Sequence, residues 1–277
     1  MANTIFFHIG LHKTATGWLQ RQLFPSLPLP IYRTRKFDKI GDLAADPSTD
    51  AIIISHEGLG GRISDSKAPG DTMAIFSSTI ARIADLPIEG KVLIGFREHA
   101  AWINSAYAQR GKKSAVTPVQ YRDSYVLGDL LWMDRVALCD RHGLKSFQFL
   151  YEEFGHDPIT LVADLCKFLE TPMPGNTAEL LARRENPSPR TARGFRVSRV
   201  AHRIARALGG LPGVDAKRLR ASASKLGAGC DSAAGPPLIV LKEAETERLR
   251  DDWSELVGSV ALRRGRDFSL LSAGAKG

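Results

Sequence analysis

The sequence predicts an α/β protein, a single domain over residues 1–277 built on a parallel sheet with helices on both faces. Three observations predict it. Apolar runs rich in β-forming residues recur at 5–9, 51–55, 91–96 and 145–150. The run Ile52-Ile53-Ile54 is continuous rather than alternating, which suits a parallel strand covered on both faces. Stretches of helical periodicity separate the runs, and that alternation is the signature of βαβ units.

The elements follow in order. Residues 5–9 read as a buried strand that Gly10 breaks. Thr14 or Thr16 can cap the next helix, whose apolar positions are Trp18, Leu19 and Leu23. Phe24-Pro25 and the prolines at 28 and 30 end it, 31–33 is a short strand, and 41–50 reads as loop. The strand at 51–55 ends at Ser55-His56-Glu57-Gly58, and 61–70 is loop. Asp71 caps a helix carrying Met73, Ile75, Phe76, Ile80, Ile83 and Leu86. The strand at 91–96 ends at Arg97-Glu98-His99, and a helix with Trp102, Ile103, Ser105, Ala106 and Tyr107 follows. Thr117 begins a further helix, with Tyr121, Tyr125 and Leu127, and Asp129 begins another, with Leu130, Leu131, Val136 and Leu138. The strand at 145–150 leads through Tyr151-Glu152-Glu153-Phe154 to a helix opened by Asp157-Pro158. Residues 190–240 form a basic, loop-rich variable region containing an amphipathic helix with Val197, Val200, Ile204 and Leu208. A charged helix over 241–262 closes the fold.

Composition bounds the function. Hydrophobic residues at 43% and charged residues at 25% are those of a soluble globular chain with room for a core. No apolar run is long enough to span a bilayer. The first residues lack a basic segment and a cleavage site, so no leader is expected and the chain is assigned to the cytoplasm. Cys139, Cys166 and Cys230 form no metal pattern, and the first two lie in helical core patterns. A net charge of +8 suggests an anionic partner: a nucleotide, a nucleic acid, a sulfated glycan or a membrane surface.

The chemistry concentrates at the first strand's end. A strand, a tight turn and a helix N-terminus leave backbone N–H groups unpaired beside a partial positive charge. Lys13 adds a full charge, and Thr14 and Thr16 add hydroxyls. The stretch is not the G-x-x-x-x-G-K-[ST] loop of NTPases, because His12 stands where the second glycine belongs. Ligands of open α/β sheets bind beyond the strands' C-terminal ends, which also puts His56 and Glu57 at this rim.

Gly10-Leu11-His12-Lys13-Thr14-Ala15-Thr16-Gly17-Trp18-Leu19 resembles the 5′-phosphosulfate loop of the sulfotransferases that use 3′-phosphoadenosine 5′-phosphosulfate (PAPS). Gly17 stands where a hydroxyl residue is common. Phe96-Arg97 at a strand end, with Ser105 eight residues on and Tyr107 two further, resembles the family's 3′-phosphate site. Arginine suits it because its fork gives paired charge-assisted bonds. Leu150-Tyr151-Glu152-Glu153-Phe154, Asp157-Pro158 and a helix ending Phe168-Leu169 resemble the family's following packing segment, with Glu152 bonding backbone amides or a basic side chain. The likeness is to bacterial members related to the carbohydrate sulfotransferases. It covers 4–24, 51–58, 91–108 and 146–170 well, and 186–265 loosely.

The resemblance implies a P-loop-like fold, PAPS as co-substrate, and no metal. It implies that Lys13, Thr14, Ala15, Thr16, Gly17 and Trp18 hold the 5′-phosphosulfate, and that Arg97 and Ser105 hold the 3′-phosphate. Lys13 would also stabilise the leaving phosphate. Family members take the acceptor's proton with a His or Glu after the strand corresponding to 51–55; both His56 and Glu57 stand there, and the bacterial likeness favours Glu57. His12 is the next candidate; His8 reads as core; Trp18 and Trp102 are core or adenine-adjacent. The acceptor is a hydroxyl or amine, on a sugar or glycolipid. No nucleic-acid partner is expected, while 190–225 leaves peripheral membrane contact open. The alternatives are a P-loop nucleotide or small-molecule kinase, which lacks its glycine and its acidic Mg²⁺ ligand, and a non-catalytic polyanion binder resting on the basic segment.

Overall fold

The computed structural model describes residues 4–11, 13–45, 50–61, 71–110, 117–183 and 241–273, with single positions between 200 and 222. The readings of His12, Cys230 and nearly all of the basic 190–240 region lie outside the described residues. The chain sorts into two compact units. The first comprises Met1–His99, Tyr125–Arg183 and Ala244–Gly277, and the second Ala100–Ser124 and Arg184–Glu243.

The first unit carries the expected α/β architecture. Five strands, β1 (Thr4–Ile9), β2 (Ile31–Tyr32), β3 (Ala51–His56), β4 (Glu89–Phe96) and β5 (Lys145–Leu150), form one parallel sheet in the order β2-β3-β1-β4-β5. The register sets Ile9 beside His56 and Ile94, so β1, β3 and β4 end at one rim. The sheet's apolar runs are buried because both faces are covered. On one face Phe6, Ile53, Leu93 and Phe149 pack with Trp18, Leu19, Leu23, Phe24, Leu161 and Leu165. These come from the helical run after β1 and from α9 (Pro158–Phe168). On the other face α3 (Asp71–Ala84) comes so close that a Cβ on Gly90 would lie 2.8 Å from Ile83. There α7 (Trp132–Arg141) sends its buried Arg135 over the rings of Phe76 and Trp132.

Several local expectations are corrected. The run after β1 is α-helical only over α1 (Thr16–Trp18), continues as a π turn over Leu19–Leu23, and tightens to a 3₁₀ turn at Phe24–Ser26. The wider turn brings Leu23 and Phe24, consecutive in sequence, both fully into the core, and Pro25 has no N–H to continue an α-helix. Residues read as loop contain the end of α2 (Phe37–Ala44), which buries Ile40 and Ala44 at helical spacing despite Gly41. Asp129 starts no helix of its own. It sits inside α6 (Leu127–Leu130), and its carboxylate takes the N–H groups of Val126 and Met73. Cys139 and Cys166 are buried free thiols, as expected. In the second unit, Thr117 caps α5 (Pro118–Arg122) in a reciprocal capping box with Gln120. The Tyr107 and Tyr121 rings there lie 5.4 Å apart.

The C-terminal helix α11 (Glu243–Arg264) is fixed within the first unit at its end. Arg264 donates to Glu153 at 2.6 Å and to Asp164 at 2.7 Å, between the rings of Phe147 and Phe268. Glu153 is almost wholly buried, and its other oxygen accepts the Leu150 N–H at 2.7 Å. Arg264→Leu strands that carboxylate and is expected to cost about 3–5 kcal/mol. Glu153→Gln combined with Arg264→Leu leaves no stranded charge and should cost clearly less. Equilibrium urea unfolding measures both; equal losses would mean that lost packing, not the stranded charge, sets the cost.

Candidate functional site

The rim is built from the loop after β1. Gly10 is required by close approach, since a Cβ there would stand 2.5 Å from the Thr16 hydroxyl. Lys13 (φ 67°) and Ala15 (φ 64°) both take the left-handed conformation, which costs a non-glycine residue about 1–2 kcal/mol each. The fold holds them there. Thr14 Oγ1 donates to the Leu11 carbonyl at 2.7 Å, and Thr16 Oγ1 donates to the same oxygen at 3.4 Å. Neither threonine caps the helix, contrary to the sequence reading: Ala15 is the N-cap residue, and both hydroxyls fold the loop back on itself instead. The first intrahelical bond runs from the Leu19 N–H to the Ala15 carbonyl at 3.0 Å. The N–H groups of Thr16, Gly17 and Trp18 precede it, as at any helix start. The Trp18 indole belongs to the core, donating to the Leu180 carbonyl at 2.9 Å and meeting the Phe154 ring edge-on.

Arg97 arrives from the end of β4. Its Nη1 lies 3.5 Å from the Lys13 carbonyl, and its guanidinium lies 4.3 Å from the centre of the Tyr151 ring. Its own carbonyl accepts the Trp132 indole N–H at 2.9 Å. Two motifs 84 residues apart in sequence thus meet at one rim. Ser105 lies buried on α4 (His99–Arg110), whose residues from Ala100 onward belong to the second unit.

His56 ends β3 and Glu57 follows it, both half-buried. The Gly58 N–H donates to His56 Nδ1 at 2.8 Å, so the neutral ring carries its proton on Nε2. Glu57 opens a single 3₁₀ turn, Glu57–Leu59. His8 is core, as expected. Its Nδ1 meets Ser55 Oγ at 2.7 Å, and complete burial pushes its pKa down to about 3.

Sequence reasoning placed Glu152 in packing and missed its electrostatics. As expected, its carboxyl bonds a backbone amide: Oε1 accepts the Glu98 N–H at 3.2 Å. Burial, the largest influence, pushes its pKa up to about 7, against the lowering effects of backbone N–H groups and of Arg97. The signal available in the sequence was its place two residues beyond the end of β5, whose neighbour β4 ends level with it just before Arg97.

Among known proteins, no family model matches the chain, and no curated protein matches it. Solved structures do. One is the crystal structure of a sulfotransferase from Alicyclobacillus acidocaldarius, 16% identical, with a TM-score of 0.45 over 98% of each chain. Another is the crystal structure of mouse sulfotransferase SULT7A1 complexed with PAP, also 16% identical. Its TM-score is 0.40, over 65% of this chain and 63% of that one.

Glu152 makes stability depend on pH. Its folded pKa of about 7 exceeds the ordinary 4.5, so between those values the folded chain keeps a proton that the unfolded chain releases. The carboxyl's contribution is therefore fully present below pH 4.5 and is lost as pH rises through 7. Glu152→Gln removes that dependence. The variant should match the parent near pH 4 and exceed it at pH 8 by about 2 kcal/mol, after discounting the full shift for solvent reaching this half-buried residue. Denaturant melts across that range measure it; a constant difference would exclude a titrating Glu152. In the loop, Ala15→Gly should leave the melting temperature unchanged or raise it, while Ala15→Val should cost at least about 1 kcal/mol at the same left-handed position.

Proposed function

We propose that this chain transfers a sulfuryl group from PAPS to a hydroxyl or amine acceptor, on a sugar or glycolipid. The observation that carries the reading is the meeting of the Lys13 loop with Arg97 at the C-terminal rim of a parallel sheet. Two cations and a helix start there suit a ligand with two separated anionic groups. The motifs that resemble the family's 5′- and 3′-phosphate sites are the ones that supply these groups.

In this reading the N–H groups of Thr14 to Trp18 hold the 5′-phosphosulfate, and Arg97 with Ser105 holds the 3′-phosphate. Glu57 accepts the acceptor's proton as the acceptor's oxygen or nitrogen bonds to sulfur. The bond from sulfur to the 5′-phosphate oxygen breaks, and adenosine 3′,5′-bisphosphate (PAP) leaves with the electron pair. Lys13 stabilises the charge that develops on that oxygen. Glu57 is favoured over His56 because His56 Nδ1 is already engaged by the Gly58 N–H, which leaves a protonated Nε2 that cannot act as a base. Like the assignments above, a single functional domain over 1–277 and a cytoplasmic setting belong to this proposal. Among the described residues no helix is long and apolar enough to cross a membrane.

Ligand-dependent melting tests the nucleotide site. PAP at a hundredfold excess over its dissociation constant should stabilise the protein by about 2.7 kcal/mol, and ATP, which lacks the 3′-phosphate, by less. Equal shifts would remove Arg97 and Ser105 from the 3′-site. Kinetics with PAPS test the chemistry. Lys13→Ala should lower kcat more than it weakens PAP binding, whereas Arg97→Ala should mainly weaken binding. Glu57→Gln should leave PAP affinity within about threefold and lower kcat by roughly 10²–10⁴, with His56→Asn milder. Turnover lost in the His56 variant and kept in the Glu57 variant would exchange their roles.

A further inference from the structure

A second concave place lies at the other end of the sheet from the rim. It is a cavity of about 380 Å³ where β4 and β5 begin, walled by the last turn of α9 and the end of α11. Lys91 of β4 stands in register with Lys145 of β5, and Arg97 lies six residues beyond Lys91, about 20 Å along the strand. The half-buried rings of Phe147 and Phe168 line the cavity, 5.3 Å apart and tilted by 37°. Charge surrounds these rings. Lys91 is buried, and its ammonium is held by Glu170 at 2.6 Å and by Glu89 at 3.3 Å. Lys145 is exposed and bonds the other Glu89 oxygen at 2.7 Å. Lys167 is exposed and makes no ion pair or hydrogen bond among the described residues. Arg263 is matched by Asp140, and Arg264 by Glu153 and Asp164.

Three ammonium groups therefore share two carboxylates, Glu89 and Glu170, and one positive charge is left over beside two aromatic rings. Packing alone does not call for this. Lys91 stands in register with Phe6 of the core, and an apolar side chain there would extend that core; buried ion pairs are often no more stable than apolar replacements. Glu170 takes the left-handed conformation, at φ 54°, where glycine would carry no strain. The chain accepts strain to keep a carboxylate at that place, and such strain gathers at ligand clamps. We propose that this cavity binds a small aromatic monoanion, its ring against Phe147 and Phe168 and its carboxylate or sulfonate between Lys145 and Lys167. The volume falls within the roughly 300–1,000 Å³ of small-molecule sites. The single surplus charge selects against polyanions such as nucleotides, because further negative charge would meet Glu170 and Asp164, which also line the cavity. This site is separate from the proposed nucleotide site, and it does not rest on the sulfuryl-transfer reading.

Titration of the full chain with 2-naphthoate, followed by the aromatic ¹H–¹³C resonances of its phenylalanines, tests the site. Phe147 and Phe168 should shift together, with a dissociation constant of about 0.1–1 mM, as expected of a ligand of this size. The neutral 2-naphthamide should bind about fivefold more weakly, and PAP should not displace 2-naphthoate. Lys167→Gln removes the surplus charge and should weaken 2-naphthoate by about threefold to fivefold, with 2-naphthamide unchanged. Glu170→Gln keeps an oxygen for Lys91, adds one positive charge to the balance, and should tighten 2-naphthoate by a similar factor. Both side chains are exposed, so both variants should keep the parent melting temperature within a few degrees. No binding of 2-naphthoate up to about 10 mM overturns the proposal. So does equal binding of 2-naphthamide, a shift confined to other rings, or an affinity unchanged in both variants. Displacement by PAP would put the anion at the rim and overturns it as well.

Discussion

The buried carboxylate of Asp252, on the C-terminal helix, holds together the rim where the site is built. It accepts the N–H groups of Trp132 and Met133 at 2.9 and 3.1 Å, capping α7 from 120 residues away. Charge-assisted bonds of this kind are worth about 1.5–3 kcal/mol each, and the helix dipole adds to them. Asp252 also lies 3.1 Å from His99 Nε2, an electrostatic contact outside hydrogen-bond geometry. The His99 ring stacks on Trp132 at 5.1 Å and 10°. With its helix so fixed, Trp132 sends its indole N–H to the Arg97 carbonyl. The position of Arg97 therefore depends on a helix that begins well over a hundred residues later in the chain.

That dependence explains what the sequence made legible and what it hid. The strands were legible because burial on both faces forces continuous apolar runs, and Ile52-Ile53-Ile54 has no other reading of equal force. The meeting of Lys13 with Arg97 followed from parallel strands sharing one C-terminal rim. Local capping rules failed where the cap was not local. Asp129 looked like a helix start, but the carboxylate that starts α7 is Asp252. Thr14 and Thr16 looked like caps, but a shared carbonyl of Leu11 won their hydroxyls. The π turn at Leu19–Leu23 answers to the sheet it covers rather than to its own propensities.

Glu152 was half legible for the same reason. Its bond to a backbone amide is what a carboxylate at a strand end does. Its burial arises from the pairing of β4 with β5, in which Phe96 stands beside Leu150 and the chains beyond them run on together. No window of sequence around Glu152 contains Arg97 or Glu98, so nothing local foretells a carboxyl with a neutral pKa.

The charge at the rim follows from which groups the fold silences. His8 lies on the strand that leads to the loop, yet burial keeps it neutral at any physiological pH, so it adds no cation. Arg135 keeps its charge but spends its donors on the carbonyls of Leu131 and Asp129. Arg97 is different. It is half-buried at the rim, pinned against the Tyr151 ring and the Lys13 carbonyl, and its contact with Lys13 engages a neutral acceptor. A guanidinium already held in place loses little further freedom when an anion arrives. The strain of the left-handed Lys13 and Ala15 is likewise met by folding.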